Sequence, residues 1–518
     1  MNTIIVEIGK KMRTKMLLKA SIIEVLPVLL IAFLGIIKID VFISYIGSDM
    51  NGYYQFIIQI ISYLFLVEAG LGSAVTFQMY KPFASNDMKR VGEIYKGSLK
   101  IFRKIGIIIL IMIILFSIAF RFIFNTTISN YIIITASFIC ISVSYTISFF
   151  FGSKSVISLF SSNQKKYIPA TVSNIFKILL EIITIVTILI FKSLIAVAIV
   201  TLVLKIFEEI VMNLLVKRIY KLNLNSLAAD TSALKFTKHL VWHQFGYVVF
   251  NNVDSTILMW SQGPVIVSIY SVYNYIIKFL LMLFEKISST ALHILGDVFA
   301  KEKEGKSLKI YNDYLFFCFI LALVLSLSFL IGARSFITNV WIKNGEYLID
   351  VYTITLFALT IFMNIIFSPL TAITTANGLF KESKYYTTIS SFVNLILSVI
   401  MVKYFGISGV LLATNVAYVI DIVLRLKLIE NHIFSCTNFW YYARRYLLYI
   451  LTFIFSALIV LFFETKYLKL VTNYFSFFKY MLPAFIIILS LLTFIACRKN
   501  ERIKCLLLKM KKSVIKRM

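Results

Sequence analysis

The chain has 518 residues, 60% of them hydrophobic and 15% charged, with a formal net charge of +28. Soluble domains run nearer half apolar and a quarter charged, so this balance excludes an ordinary water-soluble fold and points to the bilayer. The apolar runs are continuous, which also excludes a β-barrel built from short alternating strands.

In chain order, runs long enough to cross a ~30 Å hydrocarbon core fall near 20–43, 53–79, 105–124, 131–151, 168–190, 194–216, 241–260, 266–290, 313–333, 350–376, 386–402, 408–424, 446–463 and 480–496. No polar stretch between them is long enough for a separate soluble domain. The basic segment from Lys10 to Lys19 resembles a signal-peptide n-region. The run after it is too long for an h-region and lacks a small-x-small cleavage site, so it reads as a mature helix.

About 14 spans is an even number, which puts both termini on one side. With that side cytoplasmic, 39 of the 52 Lys/Arg lie in inner segments and 8 in outer ones, the bias that the positive-inside rule demands. The basic tail, Arg498 to Arg517, then reads as topology and anionic headgroup contact, not nucleic-acid binding. Five cysteines (Cys140, Cys318, Cys436, Cys497, Cys505), none in an outer loop, argue against a disulfide framework.

The chain reads as though written twice. Glu68, Phe83-Ala84 and Glu93-Ile94-Tyr95 are echoed by Glu285, Phe299-Ala300 and Lys309-Ile310-Tyr311, and Ile39-Asp40 by Val253-Asp254. Leu159-Phe160 with Lys166-Tyr167 return as Leu379-Phe380 with Lys384-Tyr385. The near-constant offset implies two six-helix lobes of the same orientation, 1–222 and 223–440, followed by two extra helices and a basic cytoplasmic tail in 441–518. The expected fold is an all-α polytopic membrane protein with a parallel repeat.

Two enzyme-like motifs fail on context. Ala300 to Ser307 fits a relaxed phosphate-loop pattern but lies between spans, with no strand before it to converge backbone N–H groups on a phosphate. His239 and His243 have zinc-helix spacing, but Leu240 stands where the metalloprotease pattern needs Glu. No catalytic residue, metal site or cofactor site is read. The expected protein is not an enzyme.

Intramembrane charges remain. A charge at mid-bilayer costs a few kcal/mol even on lenient scales, so such residues face a bundle interior or a wet cavity. Lys177 with Glu181, and Lys205 with Glu208 and Glu209, are spaced to pair along one helix. Lys38, Asp40, Asp254 and Lys278 sit on the helices that open each half, and with Lys177 they are the candidates for a substrate cavity between the lobes. Lys38 and Lys278 offer ammonium groups to an anionic ligand in a poorly screened cleft. Glu68, in EAGLGSA, stands beside Gly70 and Gly72, which allow close helix approach. Glu68 and its counterpart Glu285 are expected to act in helix packing or as hinges, with direct substrate contact the alternative.

The run VEAGLGSAVTFQMYKPFASNDMKRVGEIY, followed by a basic loop, resembles polysaccharide flippases of the Wzx type, in the multidrug/oligosaccharidyl-lipid/polysaccharide exporter superfamily. The match is specific from Glu68 to Pro82 and looser from Asn377-Gly378 to Tyr385. The resemblance implies flipping of an undecaprenyl-pyrophosphate-linked oligosaccharide across the bacterial cytoplasmic (inner) membrane, for O-antigen or capsule assembly, by alternating access. It implies a lipid-linked oligosaccharide substrate, membrane lipids, and a polysaccharide polymerase with chain-length machinery as partners. It also implies Lys38 as the family's first-helix cation, no cofactor, and coupling to H+ or Na+ through Asp40, Asp254 or Glu68.

The near alternatives are a lipid II flippase and a multidrug exporter of the same superfamily. A membrane-embedded polymerase or ligase would carry a large outer loop rich in Arg and His, and Arg334 to Asp350 has one Arg and no His.

Overall fold

A computed structural model describes residues 26–485 apart from 69, 124–127, 223, 225, 233–252, 302–303, 434–438, 482 and 484. Among the described residues the chain is all helical, with no strand. Ten of these helices are long and apolar enough to cross a membrane. The basic ends, His239, His243, Cys436, Cys497 and Cys505 lie outside the described residues.

The chain separates into two compact units, Met1–Val248 and Val249–Met518. The first contains α1 (Leu26–Tyr45), α2 (Ser48–Leu64), α3 (Leu71–Ala84), α4 (Met88–Ile123), α5 (Ile128–Phe151), α6 (Ser153–Ser162), α7 (Tyr167–Phe191) and α8 (Leu194–Tyr220). The second contains α9 (253–262), α10 (Pro264–Lys301), α11 (Glu304–Ser335), α12 (Val351–Ala376), α13 (Phe380–Phe405), α14 (Ile407–His432) and α15 (Phe439–Leu470).

Four expected spans are missing from the ten, each for a plain reason. The 53–79 run is not one helix: α2 passes into a 3₁₀ turn at Phe65–Glu68, and α3 starts after Gly70. Gly70 has φ +80, a left-handed conformation that a side chain disfavours. The 194–216 run forms α8, whose middle carries Lys205, Glu208 and Glu209. Runs 241–260 and 480–496 fall largely outside the described residues.

The expected loop 80–104 is mostly helix, because α4 starts at Met88 and runs 36 residues. The phosphate-loop look-alike is also absorbed: α10 continues to Lys301 and α11 starts at Glu304. No strand precedes the segment among the described residues, so the strand–loop–helix context of a phosphate loop is missing.

In the first unit α5 packs on α4 and α8, α7 on α8, and α3 on α6 and α4. Phe56, Phe102, Phe120, Phe138 and Phe149 fill the interior. Ile107, Ile108, Ile111, Ile114, Leu115 and Ile118 form an exposed stripe along α4, apolar on the outside as lipid contact requires. Lipid is as apolar as this core, so close packing and polar contacts, rather than water exclusion, hold such helices together.

In the second unit α12 packs on α10, α11 and α14, and α13 on α14. α15 is fastened to α11 by polar contacts. Arg334, expected in an outer loop, is buried at the end of α11 and pairs with buried Glu464 at 3.1 Å. Arg445 donates to Asn312 Oδ1 at 2.6 Å. Asp421 and Arg425 pair at 2.8 Å inside the unit, and Arg425 also donates to Thr374 and Thr387.

Candidate functional site: a charged cavity in the first unit

Two helix breaks create the cavity. α2 ends in its 3₁₀ turn before Gly70, and α5 ends at Gly152, whose φ of +92 starts α6 in a new direction. An added Cβ at Gly152 would lie 2.3 Å from Leu99 Cδ2, the movable end of a side chain, so the left-handed backbone conformation is the stronger reason for glycine there. The broken ends cannot pack as continuous helices do. A cavity of about 690 Å³ opens among α2, α3, α5, α6, α7 and α8, lined by residues that include Ser62, Phe65, Glu68, Ser73, Tyr145, Ser148, Ser153, Lys154, Ser173, Lys205 and Glu208. That volume is in the range of small-molecule sites.

Its charges are matched. Lys154 Nζ lies 2.9 Å from Glu68 Oε1 and sits over the rings of Phe65 and Phe149 at 5.6 and 5.5 Å. Lys205 Nζ lies 2.7 Å from Glu208 and 3.5 Å from Glu209. Ser173 donates to Glu208 Oε1 at 2.8 Å, and Ser153 to Glu209 Oε1 at 2.7 Å. Glu209 is fully buried, and its Oε2 accepts no hydrogen bond among the described residues. Ammonium groups, carboxylates and hydroxyls share one half-open space. Such a set can hold a polar ligand through charge-assisted hydrogen bonds.

The expected site residues divide. Glu68, Gly70 and Gly72 line the cavity. Ser158 of α6 donates to the Gly72 carbonyl at 3.1 Å, so the close approach beside Glu68 is between α3 and α6. Glu285 stands exposed within the uninterrupted α10, and the break beside Glu68 is not repeated there. Lys38 of α1 pairs with Glu181 of α7 at 2.9 Å. The expected Lys177–Glu181 pair does not form: Lys177 points to the exposed side of α7, and a cation from another helix takes Glu181. The Lys205 pairing with Glu208 and Glu209 is as the spacing predicts. Asp40 is half-buried on α1.

In the second unit Asp254 is buried and accepts from Tyr270 Oη at 2.7 Å, while Lys278 is exposed on α10. Sequence reasoning missed Lys154, Ser153 and Ser173. Lys154 was assigned to an inner loop, yet the signal was present: the serine-rich apolar text continues past Gly152 to Phe160. Among the described residues no group of three or more His, Cys, Asp or Glu side chains is placed to hold a metal ion. Cys140 and Cys318 are free thiols.

No family model matches the sequence. No curated protein matches it. Solved structures do. An inward-facing multidrug resistance transporter of the MATE family and MOP superfamily is 12% identical, with a TM-score of 0.64, covering 79% of this chain and 96% of that one. The lipid II flippase MurJ in an inward closed conformation is 19% identical, with a TM-score of 0.65, covering 92% of this chain and 99% of that one. An outward-facing MATE multidrug resistance transporter is 13% identical, with a TM-score of 0.54 over 78% of this chain and 93% of that one. This multi-pass helical membrane protein therefore shares the fold of MOP-superfamily transporters.

Proposed function

We propose that the chain is a flippase for undecaprenyl-pyrophosphate-linked oligosaccharide in the bacterial cytoplasmic membrane, serving surface polysaccharide assembly. The observation that carries the reading is the cavity of about 690 Å³ that combines the ammonium groups of Lys154 and Lys205 with carboxylates, five serines and Tyr145. Ammonium groups suit a pyrophosphate. Carboxylates and hydroxyls suit sugar hydroxyls, and Phe65 and Tyr145 offer ring faces to a sugar. A lipid tail need not enter: the headgroup and sugars cross through the polar cavity while the tail stays in the bilayer.

The mechanism is alternating access, with the cavity facing one leaflet and then the other. A proton or sodium gradient supplies energy, through Glu68, Asp40 or Asp254. Both termini and the basic start of α4 face the cytoplasm, and a polysaccharide polymerase takes the product on the far side. Lipid II carries the same pyrophosphate chemistry, and the MurJ likeness favours it as the second reading. An organic cation would meet two ammonium groups in the cavity.

The test is reconstitution. Proteoliposomes holding undecaprenyl-pyrophosphate-linked oligosaccharide, lipid II or ethidium report which cargo crosses. Selective movement of the first supports the reading, lipid II alone supports the second, and ethidium export alone overturns both.

A further inference from the structure

The cavity cations are not equally available to a ligand. Lys205 is held between two carboxylates, Glu208 and Glu209. Lys38, which does not line the cavity, is held by Glu181 with only 19% of its side chain exposed. Among the described residues Lys154 has one carboxylate partner, Glu68, and its side chain is 31% exposed. A ligand anion that captures Lys154 therefore displaces one carboxylate, from the more accessible of the cavity's two lysines.

That exchange sits at a mechanical junction. Glu68 lies before the break at Gly70, and Lys154 lies after the break at Gly152. Beyond the breaks α3 and α6 are fastened to each other: Ser158 Oγ donates to the Gly72 carbonyl at 3.1 Å, and Ser162 lies against Met79 Sδ. Ser98, in the first turns of α4, donates to Ser155 of α6 at 2.8 Å and joins the same body. Before the breaks, Phe65 and Phe149 stack at 5.3 Å and hold α2 to α5. The Glu68–Lys154 pair thus ties one body to the other across two left-handed glycines. Ser153 also crosses, to Glu209, but it is adjacent to Gly152 and moves least in a rotation about that point. At the far end Asn163 donates to Tyr220 of α8 at 3.1 Å, with the rings of Phe160 and Phe83 against that tyrosine, and the swing carries these contacts along or releases them. The unbroken α4 limits the swing.

We propose that Lys154 captures the anionic part of the cargo, and that its transfer from Glu68 to that anion unlocks the α3–α6 body to swing at Gly70 and Gly152. The hinge stands on geometry alone; the anion step rests on the function proposed above. Hinge motions of this kind concentrate their backbone change at a few element-terminal residues.

The experiment uses the full chain in lipid nanodiscs with its five native cysteines replaced, and inorganic pyrophosphate as the probe. Spin labels at Tyr80→Cys and Ile190→Cys, both exposed positions on α3 and α7, report the swing. Labels at Phe77→Cys on α3 and Gln164→Cys just after α6 lie within the α3–α6 body. Saturating pyrophosphate is expected to shift the first distance and to leave the second unchanged. Lys154→Gln and Glu68→Gln should each produce that shift without pyrophosphate.

Lys154→Gln should also weaken pyrophosphate binding about tenfold, the worth of one charge-assisted contact, while Lys205→Gln weakens it less. A first distance fixed in both latch variants, or a second distance that changes with it, overturns the hinge. A shift in the variants with none from pyrophosphate overturns the anion step and leaves the hinge standing. Failure of the proposed cargo alone, with pyrophosphate still moving the labels, leaves both in place.

Discussion

Lys38 of α1 and Glu181 of α7, 143 residues apart, form an ion pair with Nζ 3.0 Å from Oε1 and 2.9 Å from Oε2. It joins the first helix of its unit to the seventh. The lysine that sequence alone offers to a substrate anion is thus ion-paired to another helix of its own unit.

The pair predicts a double-mutant result. Lys38→Met leaves a mostly buried carboxylate uncompensated, and Glu181→Met leaves the ammonium so. Each single change should cost about 1–3 kcal/mol, below the value for fully buried pairs because both side chains keep some exposure. The double change should lie closer to wild type than either single one. Thermal unfolding in detergent measures all three; simple additivity would refute the coupling.

Lys205 balances two acids, one of them fully buried. Lys205→Met should lower the melting temperature, and Glu209→Gln should recover much of the loss by removing the uncompensated charge. Glu208→Gln, at a more exposed partner, should recover less. Equal rescue by both would show that burial does not set the cost.

Arg334 and Glu464 make the same kind of statement for α15. Glu464→Gln, which keeps an acceptor for the guanidinium, should be tolerated better than Glu464→Leu. Arg334→Met should cost about 3–5 kcal/mol, since Glu464 would remain buried without its cation. Limited proteolysis between α14 and α15 should quicken in parallel. Unchanged proteolysis would mean that apolar packing alone holds α15.

Gly152→Ala is expected to destabilise through two separable terms. The left-handed backbone costs about 1–2 kcal/mol for any L side chain, and the new methyl meets Leu99. Leu99→Ala in the same chain should relieve the second term and not the first. Full rescue would show that the backbone conformation carries no cost there.

Lys343 and Lys89 are both exposed, so their accessibility to a membrane-impermeant thiol reagent compares like with like. With the orientation proposed above, Lys343→Cys labels from outside intact cells and Lys89→Cys does not. The reverse pattern inverts the topology.

Much of this was legible in the text of the chain. Apolar run length gave the helical membrane class, and i, i+3 and i+4 spacing gave the Lys205 pairing. What escaped has a common cause: contacts between distant segments have no period. Lys38 outcompetes Lys177 for Glu181 because helix packing, not spacing, decides which cation faces the acid. Arg334 looked like loop because a charge at the end of an apolar run marks a boundary unless a buried acid waits 130 residues on. Hydropathy also cannot register a break such as Gly70, since glycine and its apolar neighbours score as a span whether or not the helix continues. The cavity depends on those breaks, so its position was the least readable part of the site.

α4 has one more consequence. Its 36 residues make a rod about 54 Å long at 1.5 Å per residue, against a hydrocarbon slab of ~30 Å. The surplus carries Lys89, Arg90, Lys96, Lys100, Arg103 and Lys104, and the isoleucine stripe begins at Ile107. A stiff rod with so sharp a change from charge to hydrocarbon behaves as a depth gauge. In a thinner bilayer the rod must tilt or expose isoleucine, and in a thicker one Arg103 and Lys104 are drawn toward oil. Through Ser98 the same rod bears on α6, which lines the cavity, so a change in its tilt would be felt first at that contact.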